Sequence, residues 1–277
     1  MFELCRSKGL SFFDTAHTYT GGASERLLGE FATSERDALT IATKAGYTGG
    51  SGRANILQQF DESRARLGFD HVDILYLHRW DENTPLEESF ETLAELQQAG
   101  SITSIGVSNF AAWQVMKAQA VAERFGTRID ILQPMYSLLK RQAEVELFPM
   151  TLSESIAVAS YSPLGAGLLT GKYESGGQGR LSTDARYAAR YELDWMKDTA
   201  AAFKDLADDL QTSPTTLAVA WAAGHPAVTA PIISARNVDQ LEPSLAAKDF
   251  IMDQALYDRI ETLSQRPAPA TDRLEEA

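Results

Sequence analysis

Short, nearly continuous apolar runs recur along this chain, and a helix-length amphipathic stretch separates most neighbours. The runs are Leu10–Thr15, Leu39–Lys44, Val72–His78, Ile102–Ser108, Ile129–Gln133, Ile156–Ser160 and Thr229–Ser234. Such runs suit strands of a parallel sheet buried on both faces. The stretches Ala23–Ala32, Arg53–Leu67, Pro85–Ala99, Ala111–Phe125, Glu144–Ser155 and Trp195–Leu210 read as helices. In Pro85–Ala99, for example, Leu86, Phe90, Leu93 and Leu96 fall at helical spacing with glutamates between them. Pro85 in its first turn and Gly100 just past its end are the usual helix punctuation. Ser213–Ala223 reads as an additional helix and Asn237–Ala247 as the helix after the last strand. A repeated strand–helix pattern argues for a parallel α/β sheet. No glycine-rich G-x-G-x-x-G turn follows an early strand, so a Rossmann domain has no support.

Several of these runs end in a reactive side chain. The first closes on Asp14, with Tyr19 five residues later; the second closes on Lys44 and the third on His78. The C-terminal ends of strands are where a (β/α)₈ barrel builds its active site. An acid, a phenol, an amine and an imidazole are together the parts needed to deliver a proton to a carbonyl oxygen. An unperturbed tyrosine has a pKa of about 10 and is a sluggish donor at neutral pH. A nearby ammonium favours the phenolate and makes the phenol a better acid. Lys44 is the candidate ammonium and Asp14 its counter-ion. His78 is the candidate hydrogen-bond donor to the oxygen that gains charge. His17 lies in a loop, His71 enters a strand, and His225 in Gly224-His225-Pro226 looks like a turn residue. With so few histidines and no His-x-His, no metal site is expected.

Composition narrows the function classes. The formal charge of −13 over 277 residues gives a surface that repels phosphate backbones, which argues against nucleic-acid binding. No apolar run approaches the roughly 20 residues of a membrane span, and the N-terminus lacks the pattern of a secretory signal. Cys5 is the only cysteine, so no intrachain disulfide and no cysteine-rich zinc site can form, and a cytoplasmic location is the natural reading.

Carried by Asp14, Tyr19, Lys44 and His78, the chain resembles the aldo-keto reductase family from about Phe2 to Gln265. The resemblance implies one TIM (β/α)₈-type barrel domain over residues 1–277, reducing aldehydes or ketones with NADPH. It also implies that the four residues act as described above. Further matches concern the cofactor. Gly106-Val107-Ser108-Asn109-Phe110 resembles the segment whose Ser and Asn meet the nicotinamide carboxamide, and Gln133 at the next strand end resembles its partner. Ser108 also suits helix N-capping, and the two roles can coexist. In the run from Tyr161 to Tyr173, Tyr161 resembles the ring that stacks on the nicotinamide. Ser162, Pro163, Leu164, Gly165 and Gly167 resemble the pyrophosphate cradle, and Lys172 can reach a phosphate. Ser234, Arg236, Gln240 and Ser244 match the adenosine-end segment. Ser234 stands where glycine is frequent and Ser244 where asparagine is. An arginine at 236 favours NADPH over NADH.

The family normally begins with a small hairpin and a first barrel strand, then a helix. Here Met1–Gly9 reads as the tail of that helix, so seven of eight strands are counted. An open seam is therefore expected between the Asp14 strand and the Ile232 strand. A second function compatible with the resemblance is a non-catalytic or weakly active NADPH-binding subunit, as in relatives of potassium-channel β subunits. Lys172–Arg190, with Gly176-Gly177-Gln178-Gly179, reads as a polar surface loop, one that closes over a cofactor or one that is simply disordered. Trp80 suits the substrate mouth and a packing role equally. The partner implied is a small carbonyl substrate; substrate identity and oligomeric state have no sequence signature here.

Overall fold

Register decides which strand-end side chains meet. In the computed structural model, which describes every residue except Ser175, Asp272, Leu274, Glu276 and Ala277, the chain divides into two units. One holds Phe2–Gln133 with Glu154–Ala157; the other holds Met1, Pro134–Ser153 and Val158–Ala277. In the first, N-terminal unit, the elements run α1 (Phe2–Ser7), β1 (Phe12–Asp14), α2 (Ala23–Ala32), β2 (Thr40–Ala45), α3 (Arg53–Leu67) and β3 (Val72–Leu77). They continue through α4 (Leu86–Gln98), β4 (Ile102–Ser108), α5 (Ala112–Ala122) and β5 (Ile131–Gln133).

All five strands of this unit pair in parallel, each with the next. Asp14 lies opposite Ala42, Lys44 opposite Tyr76, Tyr76 opposite Gly106, and Ser108 opposite Gln133. The strand-end residues are thereby brought level. Strands β2 to β5 are largely buried, as continuous apolar runs require. Strand β1 has β2 as its strand neighbour and is half-buried along its whole length. Helix α3 covers the sheet with Ile56, Phe60 and Leu67, and α4 with Phe90, Leu93 and Ala94. Burying each of the larger side chains contributes about 1.5–3 kcal/mol. Glu87 and Glu88 in the first turn of α4 complement the positive end of its dipole.

The elements that lie wholly or mainly in the C-terminal unit are α6 (Leu147–Glu154), β6 (Ala157–Tyr161), α7 (Arg180–Thr183), α8 (Ala185–Arg190) and α9 (Asp194–Asp209). Then come α10 (Pro214–Gly224), β7 (Ala230–Ile232), α11 (Val238–Ala246) and α12 (Gln254–Glu261). β6 and β7 are parallel, with Tyr161 opposite Ile232, and an isolated bridge joins Met135 to Tyr161. β7, like β1, is half-buried throughout. The core here is aromatic. Trp221 is fully buried and stacks on Tyr136 (5.2 Å between centroids) and on Tyr257 (5.7 Å).

Seven parallel strands in sequence order, β1 to β7, alternating with helices, give a TIM-type α/β barrel fold. Three details differ from the sequence reading. The segment read as a polar loop, Lys172–Arg190, contains α7 and α8, because Tyr173, Leu181 and Tyr187 pack against the aromatic core. The helix expected over Glu144–Ser155 begins at Leu147, after a short 3₁₀ turn at Gln142–Glu144. Helix α12 was not expected; its cap is the Asp253 side chain, which accepts from the Leu256 N–H. Among the described residues no helix is long and apolar enough to cross a membrane.

Candidate active site

Lys44 is the centre of the N-terminal unit's polar site. It closes β2, and its side chain is fully buried. Its ammonium donates to Asp14 Oδ2 (2.5 Å), to the Thr15 carbonyl (2.7 Å) and to the Tyr19 hydroxyl (3.4 Å). Burial pushes its pKa down, while the Asp14 carboxylate opposes that shift. The ammonium also lies 4.8 Å from the Tyr19 ring centroid and 5.7 Å from that of Tyr76. Tyr76 is buried, and burial, then the Asp14 charge, raises its pKa well above the ordinary phenol value. Of the two phenols beside Lys44, Tyr19, at 38% exposure, is therefore the one suited to exchange a proton.

His78 is buried and stands edge-on to the Tyr19 ring at 5.8 Å, with the Tyr47 ring on another side at 4.9 Å. Its pKa is pushed down to about 4, first by burial, then by the charges of Lys44 and Arg79. At neutral pH it is an uncharged imidazole that can donate one N–H hydrogen bond. Neighbouring side chains extend the site. Gln133 Nε2 donates to Asp14 Oδ1 (2.9 Å), and Ser108 Oγ donates to the Gln133 carbonyl (2.9 Å). Asn109 Nδ2 donates to the His78 carbonyl and to Ser108 Oγ, each at 3.0 Å, from a backbone with φ of 59°. Asp14, Tyr19, Lys44, His78, Ser108, Asn109 and Gln133 thus meet in one cluster. Chemically it pairs a solvent-accessible phenol, set beside a buried ammonium, with a neutral hydrogen-bond donor, which is what an oxygen gaining negative charge requires.

The remaining candidates lie in the C-terminal unit. Tyr161 ends β6, and Ser162–Leu164 lead into a 3₁₀ curl at Gly165–Thr170. Ser162, Gly165, Ala166 and Gly167 all have positive φ. A Cβ on Gly167 (φ +89°) would stand 2.7 Å from Lys172 Nζ, so glycine is what lets that ammonium lie against the curl. A curl of left-handed residues with an amine folded over it has the donor chemistry of a phosphate cradle. Ser234 and Arg236 follow β7 and are exposed; Gln240, also exposed, accepts from the Arg236 N–H at the start of α11. Because Tyr161 pairs with Ile232, both segments leave neighbouring strand ends. Ser244 is buried within α11, and among the described residues its hydroxyl has no partner.

Residues with no sequence signal of their own hold the first cluster in place. Glu25 on α2 is fully buried and accepts from Thr43 Oγ1 (2.7 Å) and Arg66 (3.1 Å). Arg66 also donates to the His17 carbonyl (3.0 Å) and to Glu62 (3.1 Å), and Glu62 meets the His17 ring at 2.8 Å. The loop carrying Tyr19 is thereby tied to α3. Gly22 (φ +85°) makes room for this, since a Cβ there would lie 2.7 Å from Arg66 Nε. Gly106 does the same for Tyr76: a Cβ would come 2.3 Å from the ring. The one sequence hint was the i,i+4 spacing of Glu62 and Arg66 on α3. Among the described residues no group of His, Cys, Asp and Glu could hold a metal ion.

Comparison with known proteins gives the family. A model of the Aldo/keto reductase family matches residues 3–265. A protein of Arabidopsis thaliana named probable voltage-gated potassium channel subunit beta is 30% identical, over 96% of this chain and 86% of its own length. The uncharacterized oxidoreductase YrpG of Bacillus subtilis is 31% identical, over 95% of this chain and 85% of its own. The L-glyceraldehyde 3-phosphate reductase of Escherichia coli K12 is 31% identical, over 86% of this chain and 75% of its own.

Proposed function

This chain belongs to the aldo/keto reductase family, and from that premise we propose that it is an NADPH-dependent oxidoreductase reducing aldehydes or ketones to alcohols, with Tyr19 as proton donor. The observation that carries the reading is the contact of the buried Lys44 ammonium with both Asp14 and the Tyr19 hydroxyl, beside a neutral His78. The family's oxidoreductase chemistry supports carbonyl reduction in general. The rest of the reading is one domain over residues 1–277, acting in the cytoplasm on a small molecule.

The residues present fit the cofactor. Ser108, Asn109 and Gln133 would hold the nicotinamide carboxamide, and Tyr161 would stack on its ring. Ser162 and Leu164, with Pro163 fixing the turn and Gly165 and Gly167 allowing close backbone approach, would meet the pyrophosphate together with Lys172. Ser234, Arg236, Gln240 and Ser244 would serve the adenosine end. Bound there, a reduced nicotinamide supplies the hydride. The protein's own part is to orient and to move a proton. His78 donates a hydrogen bond to the substrate oxygen. Tyr19 gives that oxygen its proton, and Lys44 stabilises the phenolate left behind. Asp14 keeps Lys44 charged and in place, and Gln133 keeps Asp14 in place.

Oxidation of NADPH by 4-nitrobenzaldehyde tests the reading. Tyr19→Phe should lower kcat by roughly 10²–10⁴-fold, with NADPH affinity, read by fluorescence titration, changed little. Equal turnover in both proteins would overturn the role given to Tyr19. The Arabidopsis relative's name supports a second reading, an NADPH-binding subunit of the same fold with little or no activity. Tight NADPH binding without turnover of any aldehyde or ketone would select it.

A further inference from the structure

The loops after β2 and β3 enclose a cleft of about 240 Å³ next to His78. Gly46, Gly49 and Gly50 line it from one loop, and Arg79, Trp80 and Asp81 from the other. This volume is below that of a drug-sized pocket and suits a short ligand or one end of a longer one. Arg79 directly follows His78, is exposed, and lays its guanidinium 4.9 Å from the centroid of the Tyr47 ring. That same ring lies 4.9 Å from the His78 ring, so Tyr47 sets the arginine beside the imidazole.

Among the described residues Arg79 makes no ion pair and no hydrogen bond, whereas Arg36, Arg53, Arg64 and Arg66 of the same unit each hold a carboxylate. The carboxylate among the lining residues, Asp81, is engaged by its own loop and the facing one. It accepts from the Ser51 N–H (2.8 Å), the Thr84 hydroxyl (2.6 Å) and the Asn83 N–H (3.0 Å), which fixes the loop. The N–H groups of Gly49 and Gly50, two of the lining residues, have no acceptor among the described residues. The Arg79 charge also reaches His78, whose pKa it helps to lower. In a chain of net charge −13, an unpaired guanidinium held by an aromatic ring beside a reactive histidine is a local exception to the acidic surface.

We propose that this cleft is a subsite for an anionic group, carboxylate or phosphate, carried by the carbonyl substrate, and that Arg79 is its principal donor. The proposal rests on the carbonyl-reductase reading above and adds the substrate class: short aldehydes or ketones bearing a negative charge a few bonds from the carbonyl. A guanidinium matches both anions with paired N–H donors.

Matched substrate pairs test it. Butanal against succinic semialdehyde reads the carboxylate, and glyceraldehyde against glyceraldehyde 3-phosphate reads the phosphate. The wild-type protein should prefer the charged member of one or both pairs by about ten- to a hundredfold in kcat/KM, chiefly through KM. The pair showing the larger ratio identifies the anion. Arg79→Met should bring the ratio close to one, and Arg79→Lys should retain part of it. Rising salt should erode the preference. A wild-type ratio near one for both pairs, or a ratio that Arg79→Met leaves intact, overturns the subsite. Isothermal titration with succinate and with inorganic phosphate needs no turnover. Saturable binding by the wild type that Arg79→Met abolishes supports the subsite even if no aldehyde is reduced. In that case the reductase reading alone fails. Absence of binding together with ratios near one refutes the subsite alone.

Discussion

Replacing Asp14 by asparagine tests whether the Lys44 ammonium is really held in a dry site. The Lys44 side chain has 0% exposure and that of Asp14 6%, so the pair is screened by almost no water. Asparagine keeps the shape but removes the negative charge, leaving the Thr15 carbonyl and the Tyr19 hydroxyl as neutral acceptors. Removing one partner of a buried pair costs about 3–5 kcal/mol, which for a chain of this size is a fall in Tm of roughly 6–15 °C. Lys44→Met in the same background removes the stranded charge. The double variant should therefore be more stable than the sum of the single losses by about 1–3 kcal/mol. The sign with pH is also fixed. Burial already holds Lys44 below the ordinary lysine value of 10.5, and losing Asp14 lowers it further. Between that lowered pKa and 10.5 the native variant binds fewer protons than the unfolded chain. Its stability therefore rises with pH across that window, and the deficit is full below it. Urea denaturation of the four proteins between pH 7 and pH 10 would measure all of this. A loss under 1 kcal/mol for Asp14→Asn, or strict additivity in the cycle, would refute a buried charged pair.

His78 makes a separate acid-side prediction. Its folded pKa of about 4 lies below the ordinary 6.5, so its contribution to stability is complete above 6.5 and is lost as pH falls toward 4. At about 1.4 kcal/mol per unit this is of order 3 kcal/mol, and the stability-against-pH curve of His78→Gln should be correspondingly flatter over that range. Parallel curves would mean that the imidazole is not desolvated. Arg236→Ala should weaken NADPH by about ten- to a hundredfold, the value of a charge-assisted phosphate contact, and NADH far less. Equal losses in a fluorescence titration would place Arg236 away from the 2′-phosphate. Gly106→Ala puts a methyl 2.3 Å from the Tyr76 ring and should cost about 1–3 kcal/mol by overpacking, detectable as a lower urea midpoint. An unchanged midpoint would show that the ring moves freely.

Features governed by period and strand direction were legible in the sequence. Asp14, Lys44, His78, Ser108 and Gln133 each end or follow an apolar run, and parallel pairing without a register jump brings such ends level. Tyr19 was legible with them because only five residues separate it from Asp14. What failed to show in the sequence depends on pairs far apart in it. Glu25 and Arg66 are 41 positions apart, and neither lies in a run with reactive character. Tyr76 reads as one more strand residue until Gly106 of the next strand is seen to be its floor. Arg79 reads as an ordinary surface charge until the Tyr47 ring is found beneath it. Helices α7 and α8 were hidden by a polar, glycine-rich composition, because only Tyr173, Leu181 and Tyr187 tie that stretch down.

The tether from Arg66 to the loop around Tyr19 separates two properties that usually travel together. A side chain that water can reach is commonly one whose backbone is free to move. Here the phenol is more than a third exposed, yet the loop beneath it is fastened through the His17 carbonyl and through Glu25 to α2 and α3. An acid that gives up its proton once per cycle must recover it before the next. In the proton-donor role proposed above, Tyr19 is recharged directly from solvent while its loop keeps the tie to α3. On that proposal, proton recovery is paced by encounter with water and buffer rather than by an excursion of the backbone.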